Sequence, residues 1–396
     1  MRTRTTSLVA AAVIAVLTSA CASSTTDSSS SDAAPASADS AGAGKTGADC
    51  TLDKPVPLGA ALSLTGAAAS YGTSQKQGLQ TAMDKLKGGG ITYDLKIEDD
   101  ATDPKQGITV FEQFLNRDKV SLIIGPTLSN AAKTTDPIAQ ESSTPVLGIS
   151  NTAAGITEIG DYVFRDSLPE SAVIPQTIKK AKESLGLKKV VTMYSNDDAF
   201  TESGYSAFKQ ALADEGVQEV KTLTFSKSDT DFRALLTEAK SANPDAIVVS
   251  GLIEAAIPLV TQARAAGITV PIIGGNGFNS PQLMADAGKA ADGVIVGAAW
   301  NSASDNPANT EFLKEYKAKN NADPDQFAAQ AYTGLLLVDQ AVRAKCSAER
   351  ADVQAGLLTI KDLPTPLGEF TMGEDREPQH PAVVQIVKDG TFTVLQ

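Results

Sequence analysis

From Val56 onward, short apolar runs alternate with amphipathic helical stretches, and this alternation limits what the chain can fold into more than any other feature. Val56–Leu64 reads as a strand. After it, Leu79, Ala82, Met83 and Leu86 fall at the i, i+3, i+4, i+7 spacing of one helix face, which Gly88-Gly89-Gly90 ends. A strand at Ile91–Glu98, a helix at Pro104–Asn116, a strand at Ser121–Gly125, a helix at Ser129–Glu141 and a strand at Pro145–Ser150 complete a first series. Runs such as Leu122-Ile123-Ile124 have no polar face, as expected of strands in a parallel sheet covered by helices on both sides.

The pattern then restarts. A helix at Ser171–Leu185 is followed by strands at Val190–Tyr194, Val220–Phe225, Ala246–Ser250, Val270–Gly274 and Gly293–Ala298. Helices at Thr201–Glu215, Asp229–Ala242, Ile253–Ala266 and Ser280–Ala287 separate them. Helices at Pro307–Asn320, Asp325–Ala344 and Glu349–Leu358 come next, and Asp389-Gly390 joins Ala382–Val387 to Thr391–Leu395 as a hairpin. Two successive series predict an α/β protein of two doubly wound parallel-sheet lobes. No repeat shorter than a lobe is visible, which excludes a solenoid.

The first fifty residues lack the pattern. Arg2 and Arg4 precede ten apolar residues, Leu8–Leu17, a run too short to span a bilayer and read as the core of a signal peptide over residues 1–20. Ser19 and Ala20 before Cys21 resemble a bacterial lipoprotein cleavage box, with Thr18 where Leu is usual. The resemblance implies lipidation of Cys21 and anchoring to the outer face of the cell membrane; the alternative is ordinary cleavage leaving a free Cys. Residues 21–49 are nearly all small or polar and predict a disordered Ser/Ala-rich tether, because nothing in them offsets the entropy of ordering. Of the three Cys, Cys50 and Cys346 then remain. Outside the cytoplasm they are expected to form a disulfide, two separate buried thiols being the alternative.

Composition excludes several function classes. With one His, His380, no His-based metal motif can be built, and a Ser-His-Asp triad would have to use a residue in a polar, Pro-flanked stretch. A net charge of −13 argues against a nucleic-acid partner. No catalytic residue, metal site or cofactor is called for. Asp99, Asp100 and Asp103 lack the closing Glu of a Ca²⁺ loop and are read as capping the helix at Pro104. Gly274-Gly-Asn-Gly277 lacks the dinucleotide-binding fingerprint. Trp300 is read as core or cleft wall.

In open parallel sheets, ligands bind beyond the carboxyl ends of the strands. The loops there are polar and Gly-rich: residues 64–72, 125–130, 150–155, 196–201 and 274–279. Each Ser, Thr or Asn in them either caps its own helix or contacts a small polar ligand. Five such loops together predict a cleft.

Six motifs in order carry a resemblance: Leu62-Ser-Leu-Thr-Gly66, Ile124-Gly-Pro-x-x-Ser129, Pro145-Val-x-x-Ile-Ser150, Asp197-Asp-Ala-Phe200, Gln262-Ala-Arg-x-x-Gly267 and Ala328-Ala-x-x-Tyr332. Over residues 52–396 the chain resembles the type I periplasmic binding proteins, in the branch of the leucine/isoleucine/valine-binding protein of ABC importers. The resemblance implies two lobes joined by three hinge crossovers, near Arg165–Leu168, Ala298–Asn301 and Gly368–Met372. The first lobe would be residues 50–167 plus 299–369, and the second 168–298 plus 370–396.

It also implies a site. Tyr71 falls where the family sets an aromatic ring over the ligand, Ser129 where a serine binds the ligand carboxylate, and Thr152 in a loop supplying another carboxylate contact. Ala154 stands where a hydroxyl is usual, and Phe200 and Leu252 where the family has tyrosines. Asn276 replaces the acid that neutralises an amino acid's ammonium group, a loss expected to weaken α-ammonium binding about tenfold or more. Either Glu254 or Glu202 is a candidate to supply the missing charge. The expected function is solute capture for an ABC permease and its ATPase. The ligand would bear a carboxylate or carbonyl: an amino acid by family default, or an aromatic or aliphatic acid or an amide. A ligand-sensing subunit of a receptor and an enzyme on the same scaffold are the rivals.

Overall fold

The computed structural model describes residues 47–396; the leader, Cys21 and most of the tether lie outside the described residues. The first lobe opens with β1 (Val56–Leu62), α1 (Ala69–Lys85), β2 (Tyr93–Asp99), α2 (Pro104–Glu112), β3 (Leu122–Ile124), α3 (Ser129–Glu141), β4 (Val146–Gly148) and β5 (Val163–Arg165). The second holds α4 (Glu170–Leu185), β6 (Lys189–Ser195), α5 (Ala199–Asp214), β7 (Gln218–Phe225), α6 (Arg233–Ser241), β8 (Ala246–Ser250), α7 (Ile253–Ala265), β9 (Ile272–Gly274), α8 (Gln282–Ala287) and β10 (Ile295–Ala298). Then follow α9 (Pro307–Asn320), α10 (Gln326–Lys345), α11 (Arg350–Leu357), β11 (Leu363–Thr365), β12 (Gly368–Met372), β13 (Pro378–Gln379), β14 (Val383–Lys388) and β15 (Thr391–Val394).

The first sheet is fully parallel, in the order β2-β1-β3-β4-β5. The second runs β15-β14-β10-β9-β8-β6-β7, a parallel core with the β14–β15 hairpin antiparallel along one edge. Strands β3, β4, β8 and β9 are buried at every position, which is why their sequences show no alternation. Tyr332, Phe312 and Phe370 fill the first core, and Phe232, Phe278 and Leu259 the second. Where a loop hands over to a helix, a short acid often caps it. Asp103 accepts from the Lys105 N–H, Asp198 from those of Phe200 and Thr201, and Asp325 from that of Ala328.

The chain passes between lobes three times. The first passage lies between β5 and α4, the second between β10 and α9. The third lies at residues 380–382, after β13, and not at Gly368–Met372. Phe370 and Met372 of β12 are buried in the first core, and β12 pairs with β11 and β13 in a small antiparallel sheet, so the chain re-enters the second lobe only at Val383. Glu377, just before β13, forms an ion pair with Arg165 at the first passage, tying two passages together. Trp300, at the second passage, is core: its ring meets Phe312, and its Nε1 donates to Asn309 Oδ1 at 2.8 Å. Cys50 and Cys346, 296 residues apart, are bonded, with their Cα atoms 5.5 Å apart.

Candidate functional site

In each lobe the strand order reverses beside a central strand, between β1 and β3 in the first and between β6 and β8 in the second. Loops at such a reversal splay apart and leave a crevice. Here the two crevices face each other. Tyr71 stands in the first turn of α1, Ser129 begins α3, Phe200 lies in the first turn of α5, Leu252 precedes α7, and Asn276 follows β9. These five residues line one pocket, joined by Thr127, Leu128, Ser150, Gly277 and Phe327. Its free volume is about 20 Å³, room for about one water molecule and well below that of an open small-molecule site, so the lobes stand nearly shut over it. No lining residue is charged.

Hydrogen-bond bookkeeping shows what the pocket can offer a ligand. Thr127 Oγ1 donates to Gln75 Oε1 at 2.7 Å and accepts from the Ser63 N–H at 3.0 Å. Ser150 Oγ donates to the Thr127 carbonyl and accepts from Gln75 Nε2, both at 2.6 Å. Both hydroxyls are therefore committed within the first lobe. Ser129 Oγ accepts from the Ala153 N–H at 3.2 Å, which leaves its O–H free to donate. On the second lobe, the Asn276 side-chain oxygen accepts from Gln326 Nε2, so its amide nitrogen is the group left for a ligand. Both groups donate. They suit an oxygen acceptor such as a carboxylate, carbonyl or hydroxyl, and the lining offers no charged partner for an ammonium group.

Several hydrogen bonds cross the cleft. Tyr71 Oη donates to the Gly277 carbonyl at 2.7 Å and accepts from the Ile253 N–H at 2.8 Å. Both partners belong to the second lobe, so the hydroxyl is fully used as a clasp and the ring, packed on Phe327, is left as pocket wall. Burial pushes the phenol well above its usual range. Gly277 must be glycine: a Cβ there would stand 2.3 Å from the Gly251 carbonyl oxygen. Asn130 Nδ2 donates to Asp198 Oδ2 at 2.6 Å, and its Oδ1 accepts from the Ala199 N–H at 2.8 Å. At about 0.5–1.5 kcal/mol net for each, such bonds stabilise closure by several kcal/mol.

Two expected site residues point elsewhere. Thr152 Oγ1 donates to Glu170 Oε1 at 3.1 Å, away from the pocket. Ala154 is exposed at the rim, where its N–H donates to Ser203 Oγ at 2.9 Å across the cleft. The acid at the back of the site is Glu170, a residue the motif comparison passes over. It begins α4 and is 1% exposed. Burial, opposed by the Thr152 hydroxyl, pushes its carboxyl up to about 7. Glu202 is exposed, while Glu254 is half-buried outside the pocket lining. Phe327 escapes sequence reasoning because it arrives from α10, far from any strand end. Thr127, Ser150 and Gly277 lie within the Gly-rich loops already read as ligand-facing, but carry no individual signal. Among the remaining features, His380 lies at the third passage, stacked on Phe370 and outside the pocket, its pKa lowered to about 4 by burial. Asp99 accepts from the Leu64 and Ala101 N–H groups and Asp100 from Ser63 and Thr102, so these carboxylates organise the loop before α2.

Known proteins share this architecture. The Leu/Ile/Val-binding protein BraC3 of Rhizobium johnstonii is 28% identical over 333 residues, covering 81% of this chain and 88% of that protein. The structure of LivJ, the branched-chain amino acid transporter substrate-binding protein of Streptococcus pneumoniae, in complex with isoleucine, matches with a TM-score of 0.81. Identity is 27%, and the match covers 86% of this chain and 98% of that one. A solute-binding protein of an ABC transporter from R. palustris, in complex with benzoate, matches with a TM-score of 0.80 at 25% identity, covering 86% and 96%. A family model described as periplasmic binding protein matches residues 55–391. The chain belongs to the periplasmic binding protein family, as a type I member resembling the Leu/Ile/Val-binding proteins.

Proposed function

We propose that the chain is the extracytoplasmic substrate-binding component of an ABC importer, of the type that serves branched-chain amino acids and related small acids. The observation that carries this reading is one pocket closed by strand-end residues of both lobes: Tyr71 and Ser129 from one, Phe200, Leu252 and Asn276 from the other. A ligand touched from both sides stabilises the closed form over the open one, and closure is what a permease can sense. Its partners would be the permease and ATPase subunits. Lipidation of Cys21 would hold it to the outer face of the membrane, with residues 22–49 as tether. The uncharged lining offers neither a general base nor an activated nucleophile, which supports binding without catalysis.

The ligand is a solute with a carboxylate or carbonyl oxygen facing Ser129 and Asn276 and an apolar body between Tyr71, Phe200, Leu252 and Phe327. A specific observation favours aromatic or aliphatic acids over amino acids as that solute. The Asn276 oxygen is already engaged by Gln326, which leaves only an N–H donor there, and the resemblance sets Asn276 where the family has an acid. The relatives named above include one complexed with isoleucine and one with benzoate. Thermal shift and calorimetry with leucine, isoleucine and valine set against benzoate and short aliphatic acids test the choice. Clear stabilisation by the amino acids and none by the organic acids would overturn the preference for acids. Identifying a solute that co-purifies with the native protein by mass spectrometry tests the reading as a whole.

A further inference from the structure

Beside the inner pocket, and sharing Leu128 and Leu252 with it, a chamber of about 290 Å³ continues between the lobes. Its chemistry is the opposite of the inner pocket's. The first lobe lines it with Ser63, Asp100 and Asn130, the second with Asp198, Glu254 and Lys227. Three carboxylates therefore share this space with one ammonium group.

Two of the three carboxylates have an oxygen with no hydrogen-bond donor. Asp100 is 1% exposed; its Oδ1 accepts from Ser63 Oγ at 2.7 Å and from the Thr102 N–H at 2.9 Å, while Oδ2 has no partner. Glu254 Oε2, across the cleft, is likewise without one. Asp198 differs, since its Oδ1 caps α5 and its Oδ2 accepts from Asn130. A buried carboxylate oxygen without a donor is costly, and it commonly marks a place where a ligand or ion supplies one. Burial holds all three carboxyls above their usual range, and the charge of Asp198 adds to burial in pushing Glu254 up to about 7.

We propose that this chamber is a second subsite of the same cleft, which receives a protonated amine or guanidinium arm of a solute whose carboxylate or apolar end occupies the inner pocket. The proposal rests on the importer reading above and sharpens it. An ammonium next to the ligand carboxylate would meet Asn276, a donor. One several bonds farther along enters the chamber that Asp100 and Glu254 line. The substrate class becomes small acids with a distal cation.

Matched probes test it on the whole protein: lysine against norleucine, and 4-(aminomethyl)benzoate against 4-methylbenzoate, each pair differing in the distal ammonium. Calorimetry should give the ammonium-bearing member of at least one pair an affinity higher by about tenfold or more. In Glu254→Gln, and independently in Asp100→Asn, the ratio within that pair should fall to near one. The subsite alone is overturned if the member without the distal ammonium binds as well as its partner, or if the preference survives both substitutions. If no member of either pair binds and leucine and benzoate also fail, the importer reading fails and the subsite with it.

Discussion

The two faces of the cleft are built on the same kind of strand end, yet they do different things. The first lobe's face is assembled before any ligand arrives. Thr127, Ser150 and Gln75 satisfy one another, Ser129 is held by the Ala153 N–H, and the disulfide fastens residue 50 to the end of α10. The second lobe's face is Phe200, Leu252, backbone at Gly277 and a single amide, with Glu170 buried close behind it. On the proposed reading each face gives the ligand's polar end one donor, Ser129 from the first and Asn276 from the second, and the second face adds Phe200 and Leu252 around its body. A cleft can therefore change its ligand through the second face while keeping the first.

The largest expected effect separates the lobes by stability. Removing the disulfide with Cys50→Ser and Cys346→Ser should cost the first lobe about 3–5 kcal/mol, because it frees a very long loop in the unfolded chain. Trp300, the single Trp, sits in the first core. Its fluorescence should therefore unfold at lower urea than the circular dichroism of the whole chain. A common shift of both signals would mean that the lobes do not unfold separately.

The next effect belongs to the second face and depends on pH. Glu170 has its carboxyl raised from 4.5 to about 7 by burial, so the fold favours its neutral form. That stability is present below about pH 4.5 and is lost as pH rises through 7. Relative to wild type, Glu170→Gln should gain up to about 3 kcal/mol at pH 8 and little at pH 4.5. Chemical denaturation at both pH values measures the difference, and a pH-independent difference would remove Glu170 from the account.

Tyr71→Phe tests the clasp between the faces. It leaves the Ile253 N–H and the Gly277 carbonyl without their partner, and should weaken closure by about 2 kcal/mol. Small-angle scattering with saturating ligand should then show a more open average shape, with affinity reduced more than tenfold. The smallest effects are reciprocal. Ser129→Ala should lower affinity for any carboxylate ligand by about five- to tenfold, and cost about 1–2 kcal/mol of stability by leaving the buried Ala153 N–H unpaired. Asn276→Asp should leave the carboxylate contact at Ser129 in place and shift preference toward α-amino acids, read as the leucine-to-4-methylpentanoate affinity ratio.

Much of the fold is legible in the chain because its signals are local. Helix α3 begins at Ser129 and α9 at Pro307, where a helix start is written in two or three residues, and β8 spans its apolar run Ala246–Ser250. Elements whose stability comes from elsewhere are not legible. Strand β5 is three residues long and is held mainly by β4. The sheet β11–β13 reads as irregular chain between a helix and a hairpin, because its pairing is antiparallel and its burial one-sided. Missing it put the third passage a dozen residues early.

The same division runs through the site. The loops that hold Tyr71, Ser129, Phe200, Leu252 and Asn276 can be placed from the strand ends, since a loop at the carboxyl end of a parallel strand has few places to go, and the family resemblance picks out the residues within them. What the chain alone determines is therefore the two-lobed α/β architecture and the loops that face the cleft; that Asn276 stands in the place of an acid is what the resemblance implies. Only the tertiary structure decides which atoms remain available there. Whether Thr152 faces the ligand or Glu170, whether Tyr71 offers its hydroxyl or spends it on the other lobe, and which end of Asn276 is free all depend on hydrogen-bond partners a hundred or more residues away or across the cleft. Each polar atom makes a limited number of bonds, and its partners, not its own identity, decide what is left for a ligand.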